Sequence, residues 1–104
     1  METRELLNRI KGLLQPVFGE RWVGLVLYGS EARGDSQPDS DIDLLIILHG
    51  PVNHDQDSRT CIHELYPLVL EIERPIHAVP VDVRVYEAQE YPLYRNARKE
   101  GILA

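Results

Sequence analysis

Two aspartates and a glycine–serine pair upstream of them are the residues whose types and spacing suggest chemistry. Gly29 and Ser30 follow a buried apolar run, and ten residues separate Ser30 from Asp41, with Asp43 two positions further on. Alternate residues of a strand point to the same face, so we expect the two carboxylates side by side, roughly 7 Å apart at their Cα atoms. Two like charges at this separation repel each other unless a cation lies between them.

The chemistry that these four residues suit is the binding of a nucleotide with magnesium. Mg²⁺ typically takes one or two carboxylates and completes its shell with water and substrate phosphates. Gly29 allows the backbone to approach a triphosphate closely. Ser30 offers a hydroxyl and a backbone amide at the start of a short helix, where the helix dipole favours negative charge. A phosphate cradle followed by a Mg²⁺ site predicts a nucleoside triphosphate as substrate.

The run that contains these residues resembles the signature of the DNA polymerase β-like nucleotidyltransferase superfamily, which is Gly-Ser, a spacer and Asp-x-Asp. Its longer form, GSxARGDxxPDSDIDLLI, is similar to the minimal nucleotidyltransferases (MNT) that pair with HEPN-domain partners. Six further residues carry that likeness: Arg33, Gly34, Asp35, Pro38, Asp39 and Ser40. The resemblance extends over nearly the whole chain and implies the polymerase β-like nucleotidyltransferase fold.

Nucleotidyl transfer suits a site with two Mg²⁺ ions, because such a pair stabilises both the attacking and the leaving oxygen. The resemblance implies that Asp41 and Asp43 bind both ions and that a third carboxylate holds the catalytic one and helps to deprotonate the acceptor. We predict Asp82 for this role, since it lies on the polar face of a valine-rich strand and the superfamily places its third carboxylate on such a strand. The alternative is that Asp82 is a solvated edge residue beside Arg84.

The resemblance also implies a reaction and a partner. An MNT protein is the antitoxin of a HEPN–MNT pair: it transfers AMP from ATP to a tyrosine hydroxyl of the HEPN toxin, an RNase, and so silences it. A hetero-oligomer with that toxin is expected. Two alternatives stay open, namely a binding module that masks the partner without catalysis and transfer to the hydroxyl of a small molecule. Three carboxylates in one cluster would favour catalysis over masking.

Hydrophobic spacing predicts the elements that position these residues. An amphipathic first helix is expected to end near Pro16, and a second long helix over 59–73 to be kinked or split at Pro67. Strands are predicted over 22–28, 41–48 and 79–86, with a short helix from Ser30 through Arg33 and a last helix over 92–99. These elements make an α+β domain, with a small, mainly three-stranded mixed β-sheet and helices packed on one side.

Composition bounds the class of protein. The 104 residues are expected to form a single domain, and no apolar run approaches the ~20 residues of a membrane span. One cysteine, Cys61, and no signal-peptide pattern predict a cytoplasmic protein. The net charge of −6 argues against a long nucleic acid gripped by this domain alone.

Two further groups of residues have less definite roles. Arg33 is either a phosphate contact one helical turn from Ser30 or a solvated surface arginine, and a basic C-terminal segment is either a solvated helix face or a partner contact: Tyr94, Arg95, Arg98 and Lys99. The four histidines show no zinc-site spacing and are expected to be surface or helix-flanking residues: His49, His54, His63 and His77.

Overall fold

A computed structural model describes all residues, 1–104, as one four-stranded sheet with helices. The elements in chain order are α1 (Thr3–Phe18), a 3₁₀ turn (Gly19–Arg21), β1 (Trp22–Tyr28), α2 (Ser30–Arg33), β2 (Ile42–Leu48), α3 (His54–Ile72), β3 (Ile76–Asp82), α4 (Val83–Ala88), α5 (Pro92–Glu100) and β4 (Ile102–Leu103). The strand order is β3-β2-β1-β4, with β1 antiparallel to β2 and β4, and β2 parallel to β3.

The two faces of the sheet have different covers. Alternate residues of β2, such as Leu44 and Ile46, bury against α1 and α3, which supply the larger part of the core. The residues between them, Leu45 and Ile47, belong to a smaller cluster that Tyr86 of α4 and Ala97 of α5 help to close. The predicted α+β fold with a small mixed sheet is confirmed. The long helices share one side as expected, and the short α4 and α5 add a partial cover on the second face.

The third strand is the element whose limits differ most from prediction. It covers Ile76–Asp82 rather than 79–86, because the Asp82 side chain accepts a hydrogen bond from the Arg84 backbone amide at 2.8 Å and so caps α4. The valines beyond Asp82, which alternate as in a strand, therefore lie in a helix. The alternation of valines alone could not distinguish a strand from a helix here. The strand ends at Asp82, and the same residue caps the helix that follows.

Both prolines that were expected to interrupt helices lie inside continuous ones. α1 runs past Pro16 to Phe18, and α3 runs unbroken through Pro67. Phe18, Leu65 and Leu68 are buried on the core side of these helices, with exposures of 7%, 2% and 1%. Burying these side chains outweighs the backbone hydrogen bond that each proline removes. No helix in the structure combines the length and the apolar character that crossing a bilayer would need.

A partly buried ion pair fixes the connection from β2 to α3. Arg21 donates to both carboxylate oxygens of Asp57, with distances of 3.0 Å to Oδ1 and 2.7 Å to Oδ2. Its Nη2 also donates to the Pro51 carbonyl at 3.1 Å. These contacts hold the end of β2 and the start of α3 to the turn that precedes β1. The Arg21 hydrogen bond is the main reason why the pKa of Asp57 lies below its usual value.

Candidate active site

The two aspartates lie at the start of β2, on the face of the sheet that α4 and α5 partly cover. This is called the second face below. Asp41 immediately precedes the strand and Asp43 is its second residue, while Ile42 between them is fully buried toward the opposite face. Burial raises the pKa of Asp43, and the charge of Asp41 raises it further, against an opposing effect of His77. The charge of Asp41 thus acts on Asp43, as expected of two carboxylates two positions apart on one strand.

Gly29 brings the backbone against one of these carboxylates. Its φ of 77° and ψ of −157° lie in a region that only glycine adopts readily. A Cβ at this position would lie 2.8 Å from Oδ2 of Asp43. Ser30 follows as the first residue of α2, which ends after one turn at Gly34, where φ is 78°. The Gly-Ser pair and the second aspartate thus meet at one point of the sheet.

The loop between α2 and β2 is held by an ion pair that the sequence did not reveal. Arg74 donates to Glu31 through Nη1 and Nη2, at 2.9 and 3.2 Å, and its Nε donates to the Ser40 carbonyl at 3.0 Å. Ser36 also donates to the Glu31 carboxylate. The hydrogen bond from Arg74 is the largest cause of the lowered pKa of Glu31. Arg74 thus connects Ser40, the residue before Asp41, to Glu31 of α2.

Arg33 lies on the exposed side of α2. Its Nε is 3.4 Å from Oδ2 of Asp35, and both side chains are about half exposed or more, at 48% and 62%. An ion pair of this kind contributes little to stability. Arg33 can therefore exchange Asp35 for another anion at small cost. Asp39, in the same loop, is also exposed.

The structure does not bring Asp82, the predicted third carboxylate, beside Asp41 and Asp43. In the parallel pairing of β2 and β3, Asp82 lies beside Leu48, whereas Asp43 lies beside His77. Five residues of strand separate the two positions, about 16 Å, and an odd number of steps also places them on opposite faces. Asp82 serves instead as the cap of α4 and lies against Gly50, where a Cβ would be 2.0 Å from its Oδ2.

The residues that do flank Asp43 come from both neighbouring strands. Tyr28 of β1 is its antiparallel partner and His77 of β3 its parallel partner, so a phenol, a carboxylate and an imidazole form one row across the sheet. Tyr28 is half-buried; burial, then the charge of Asp43, then Tyr94 of α5 raise its pKa. Sequence reasoning missed both flanking residues. The position of Tyr28 directly before Gly29 was the available signal.

Other parts of the molecule offer no comparable arrangement. No group of three His, Cys, Asp or Glu side chains anywhere in the chain, the surroundings of Asp41 and Asp43 included, is arranged to hold a metal ion. A cleft of about 460 Å³ lies toward the far end of the second face, between β1, β4 and the C-terminal helices, and contains neither aspartate. The carboxylates themselves occupy an open part of the surface, since Asp41 is exposed and Asp43 partly so.

Comparisons with known proteins show which family and fold the chain shares. The chain matches 22% of residues over 103 positions with spectinomycin 9-adenylyltransferase of Enterococcus faecalis, covering 99% of this chain and 40% of that protein. The crystal structure of spectinomycin adenyltransferase AAD(9) with ATP and spectinomycin superposes with a TM-score of 0.62 at 24% identity, over 78% of this chain and 34% of that one. The chain thus spans about two fifths of the length of its curated relative.

Two solved toxin–antitoxin structures share the fold as well. One, with AMP-PNP, gives a TM-score of 0.67 at 17% identity over 92% of this chain and 69% of that one. The other, a mutant of the toxin–antitoxin MntA–HpeT, gives 0.63 at 17% identity over 93% and 69%. A family model described as nucleotidyltransferase domain matches residues 7–104, nearly the whole chain. The chain therefore belongs to the nucleotidyltransferase domain family.

Proposed function

We propose that residues 1–104 act as a single minimal nucleotidyltransferase domain. It transfers AMP from ATP, with Mg²⁺, to a tyrosine hydroxyl of a HEPN-domain RNase toxin and so serves as the antitoxin of that toxin. One observation carries the enzymatic part of the proposal. The carboxylates of Asp41 and Asp43 share a face at the point where the backbone of Gly29 lies against Asp43.

The donor set of this site fits Mg²⁺. Asp41 and Asp43 supply two carboxylates, and the raised pKa of Asp43 reflects burial and repulsion that a cation would relieve. Two carboxylates, with water and substrate phosphates, meet the usual requirement of Mg²⁺. When bound, the metal neutralises charge on the triphosphate and on the developing oxyanion. The prediction of two ions includes Asp82 as a further ligand, whereas the strand register places Asp82 beside Leu48 and leaves Asp41 and Asp43 as the adjacent carboxylates.

The residues around the carboxylates would bind and orient the nucleotide. Gly29 has no side chain to obstruct the phosphates, and Ser30 offers them a hydroxyl. Arg33 would exchange its exposed contact with Asp35 for a phosphate oxygen. In the transfer, the acceptor oxygen forms a bond to the α-phosphorus and the bond to the pyrophosphate oxygen breaks. Pyrophosphate leaves with that electron pair, and the hydroxyl proton passes to a basic group.

The partner is supported by the fold comparisons and by charge. Both toxin–antitoxin structures resemble more than nine tenths of this chain, and one of them carries a tyrosine-to-alanine replacement. The net charge of −6 favours a basic or flexible acceptor segment on the partner, because a second acidic surface would be repelled. A cytoplasmic location is part of the proposal and is consistent with the buried free thiol of Cys61.

A small-molecule hydroxyl is the second candidate acceptor. The observation that favours it is the match of 99% of this chain to a spectinomycin 9-adenylyltransferase. In that case the hydroxyl of a small molecule such as spectinomycin would occupy the place of the tyrosine. The chemistry at Asp41 and Asp43 would be the same.

The proposal is tested by incubating the chain with MgATP and the protein encoded by its neighbouring gene. Mass spectrometry should show one or more AMP groups on a tyrosine of that protein, and its RNase activity should fall. The control is the double variant Asp41→Asn, Asp43→Asn, which should leave the partner unmodified and active. RNase inhibition by the double variant without added mass would show masking by binding. AMP on spectinomycin and none on the protein would identify a small-molecule acceptor.

A further inference from the structure

We infer that His77 is the third side chain of this site and that it contacts the attacking hydroxyl, in the place that the sequence analysis gave to Asp82. The inference rests on the proposed function and adds the residue that the transfer still lacks. It follows from the strand register. β3 runs parallel to β2, and His77 pairs with Asp43, so the two side chains leave the same face on strands ~4.8 Å apart.

His77 is the one residue of β3 that can serve the reaction on this face. The other residues that β3 presents there are Val79 and Val81, which pack against the smaller core cluster and carry no polar group. The side chains between them point to the other face. Near Asp43, the strand therefore offers a single hydrogen-bonding side chain, and it is exposed.

The packing around Tyr28, Asp43 and His77 shows from which side the acceptor approaches. On the β1 side of Asp43, Tyr28 is half-buried and packs in the same cluster as Tyr94 of α5. On the other side β3 is the edge strand of the sheet, so no further strand lies beyond His77. An acceptor carried by another molecule thus reaches Asp43 over the β3 edge, and His77 is the side chain it meets first.

The chemistry of imidazole suits this position. A neutral histidine has one ring nitrogen with a free lone pair, which can accept a hydrogen bond from the acceptor hydroxyl. As the oxygen bonds to the α-phosphorus, its proton passes to that nitrogen, and pyrophosphate leaves with the electrons of the broken bond. The proton then passes to solvent. His77 thus both orients the hydroxyl and removes its proton.

The test compares His77→Ala with two matched controls. His63→Ala removes an exposed histidine from α3, on the other side of the sheet, and Asp82→Asn changes the carboxylate that was first predicted. Single-turnover transfer of AMP from ATP to the neighbouring-gene protein should fall on the order of a hundredfold or more in His77→Ala. It should be unchanged in both controls. Affinity for MgATP should be the same in all variants, because His77 contacts the acceptor.

A second variant separates chemistry from folding. His77→Asp restores a hydrogen-bond acceptor and should recover part of the rate that His77→Ala loses, whereas a merely structural role would give no such recovery. Transfer by His77→Ala at the wild-type rate, or a loss confined to MgATP affinity, would overturn the inference and leave the proposed function standing. A wild-type protein that transfers no AMP to any acceptor would overturn the proposed function itself.

Discussion

Replacing Gly29 by alanine tests the close contact between the Gly29 backbone and the Asp43 carboxylate. The φ and ψ of Gly29, 77° and −157°, lie in a region that costs another residue about 1–3 kcal/mol. For a chain of this size that corresponds to a fall in melting temperature of about 4–24 °C. The added methyl would also lie 2.8 Å from Oδ2 of Asp43, so the carboxylate must move by several tenths of an ångström or more.

In Gly29→Ala, the movement of the Asp43 carboxylate should slow AMP transfer more than the backbone strain at position 29 does. A misplacement of ~1 Å at a reacting group can cost about a hundredfold in rate. Gly34→Ala is the matched control, since Gly34 has a similar φ of 78° but no atom within 4 Å of an added Cβ. We expect this control to lose about 1–2 kcal/mol of stability and to transfer AMP normally.

Two measurements on Gly29→Ala and Gly34→Ala separate the effect on stability from the effect on transfer. Urea unfolding gives the loss of stability, and AMP transfer is then measured at a temperature where both variants are fully folded. Gly29→Ala should be stable enough to fold and about a hundredfold slower than Gly34→Ala. Equal transfer rates for the two variants would refute the close contact between Gly29 and Asp43 as a requirement of the site.

Three further predictions concern other carboxylates as well. The double variant Asp41→Asn, Asp43→Asn should abolish transfer and the Mg²⁺ dependence of ATP binding. Its stability in urea unfolding should be equal or greater, because the repulsion between the two carboxylates is relieved. Continued transfer would remove both aspartates from the mechanism. Asp82→Ala should lose about 1 kcal/mol as the α4 cap is removed, with transfer retained, and Asp82→Asn should lose less. Glu31 and Asp57 have folded pKa values below their unfolded values of 4.5 and 3.8, so their contribution is complete above about pH 5 and is lost as the pH falls through the folded values. Unfolding free energies measured from pH 7 to pH 3 should show this, and an unchanged stability at pH 3 would contradict it.

Much of the fold was predictable because its signals are local. The apolar run from Trp22 to Tyr28, the Gly-Ser turn and the start of β2 at Ile42 follow from hydrophobic periodicity and the conformational freedom of glycine. The two aspartates could be placed side by side for the same reason, since one strand carries both. These features depend on residues a few positions apart.

The third site residue could not be predicted because it depends on the pairing of two strands. Alternating valines marked a strand around Asp82, but only the register of β3 against β2 shows that His77, not Asp82, lies beside Asp43. A search for metal-site spacing along the chain passes over such a histidine, since its neighbour Asp43 is 34 residues away. The pair of Arg74 and Glu31 was missed for the same reason.

The most direct test of nucleotidyl transfer at Asp41 and Asp43 follows the phosphates of ATP. The chain, its neighbouring-gene partner and Mg²⁺ are incubated with ATP labelled at either the α- or the γ-phosphate, alongside the double variant Asp41→Asn, Asp43→Asn. With the wild type, the α label should become covalently bound to the partner while the γ label leaves in pyrophosphate, and the double variant should transfer neither. Transfer of the γ label to the partner, or equal α labelling by the double variant, would contradict the assignment of these two aspartates to a nucleotidyl-transfer site.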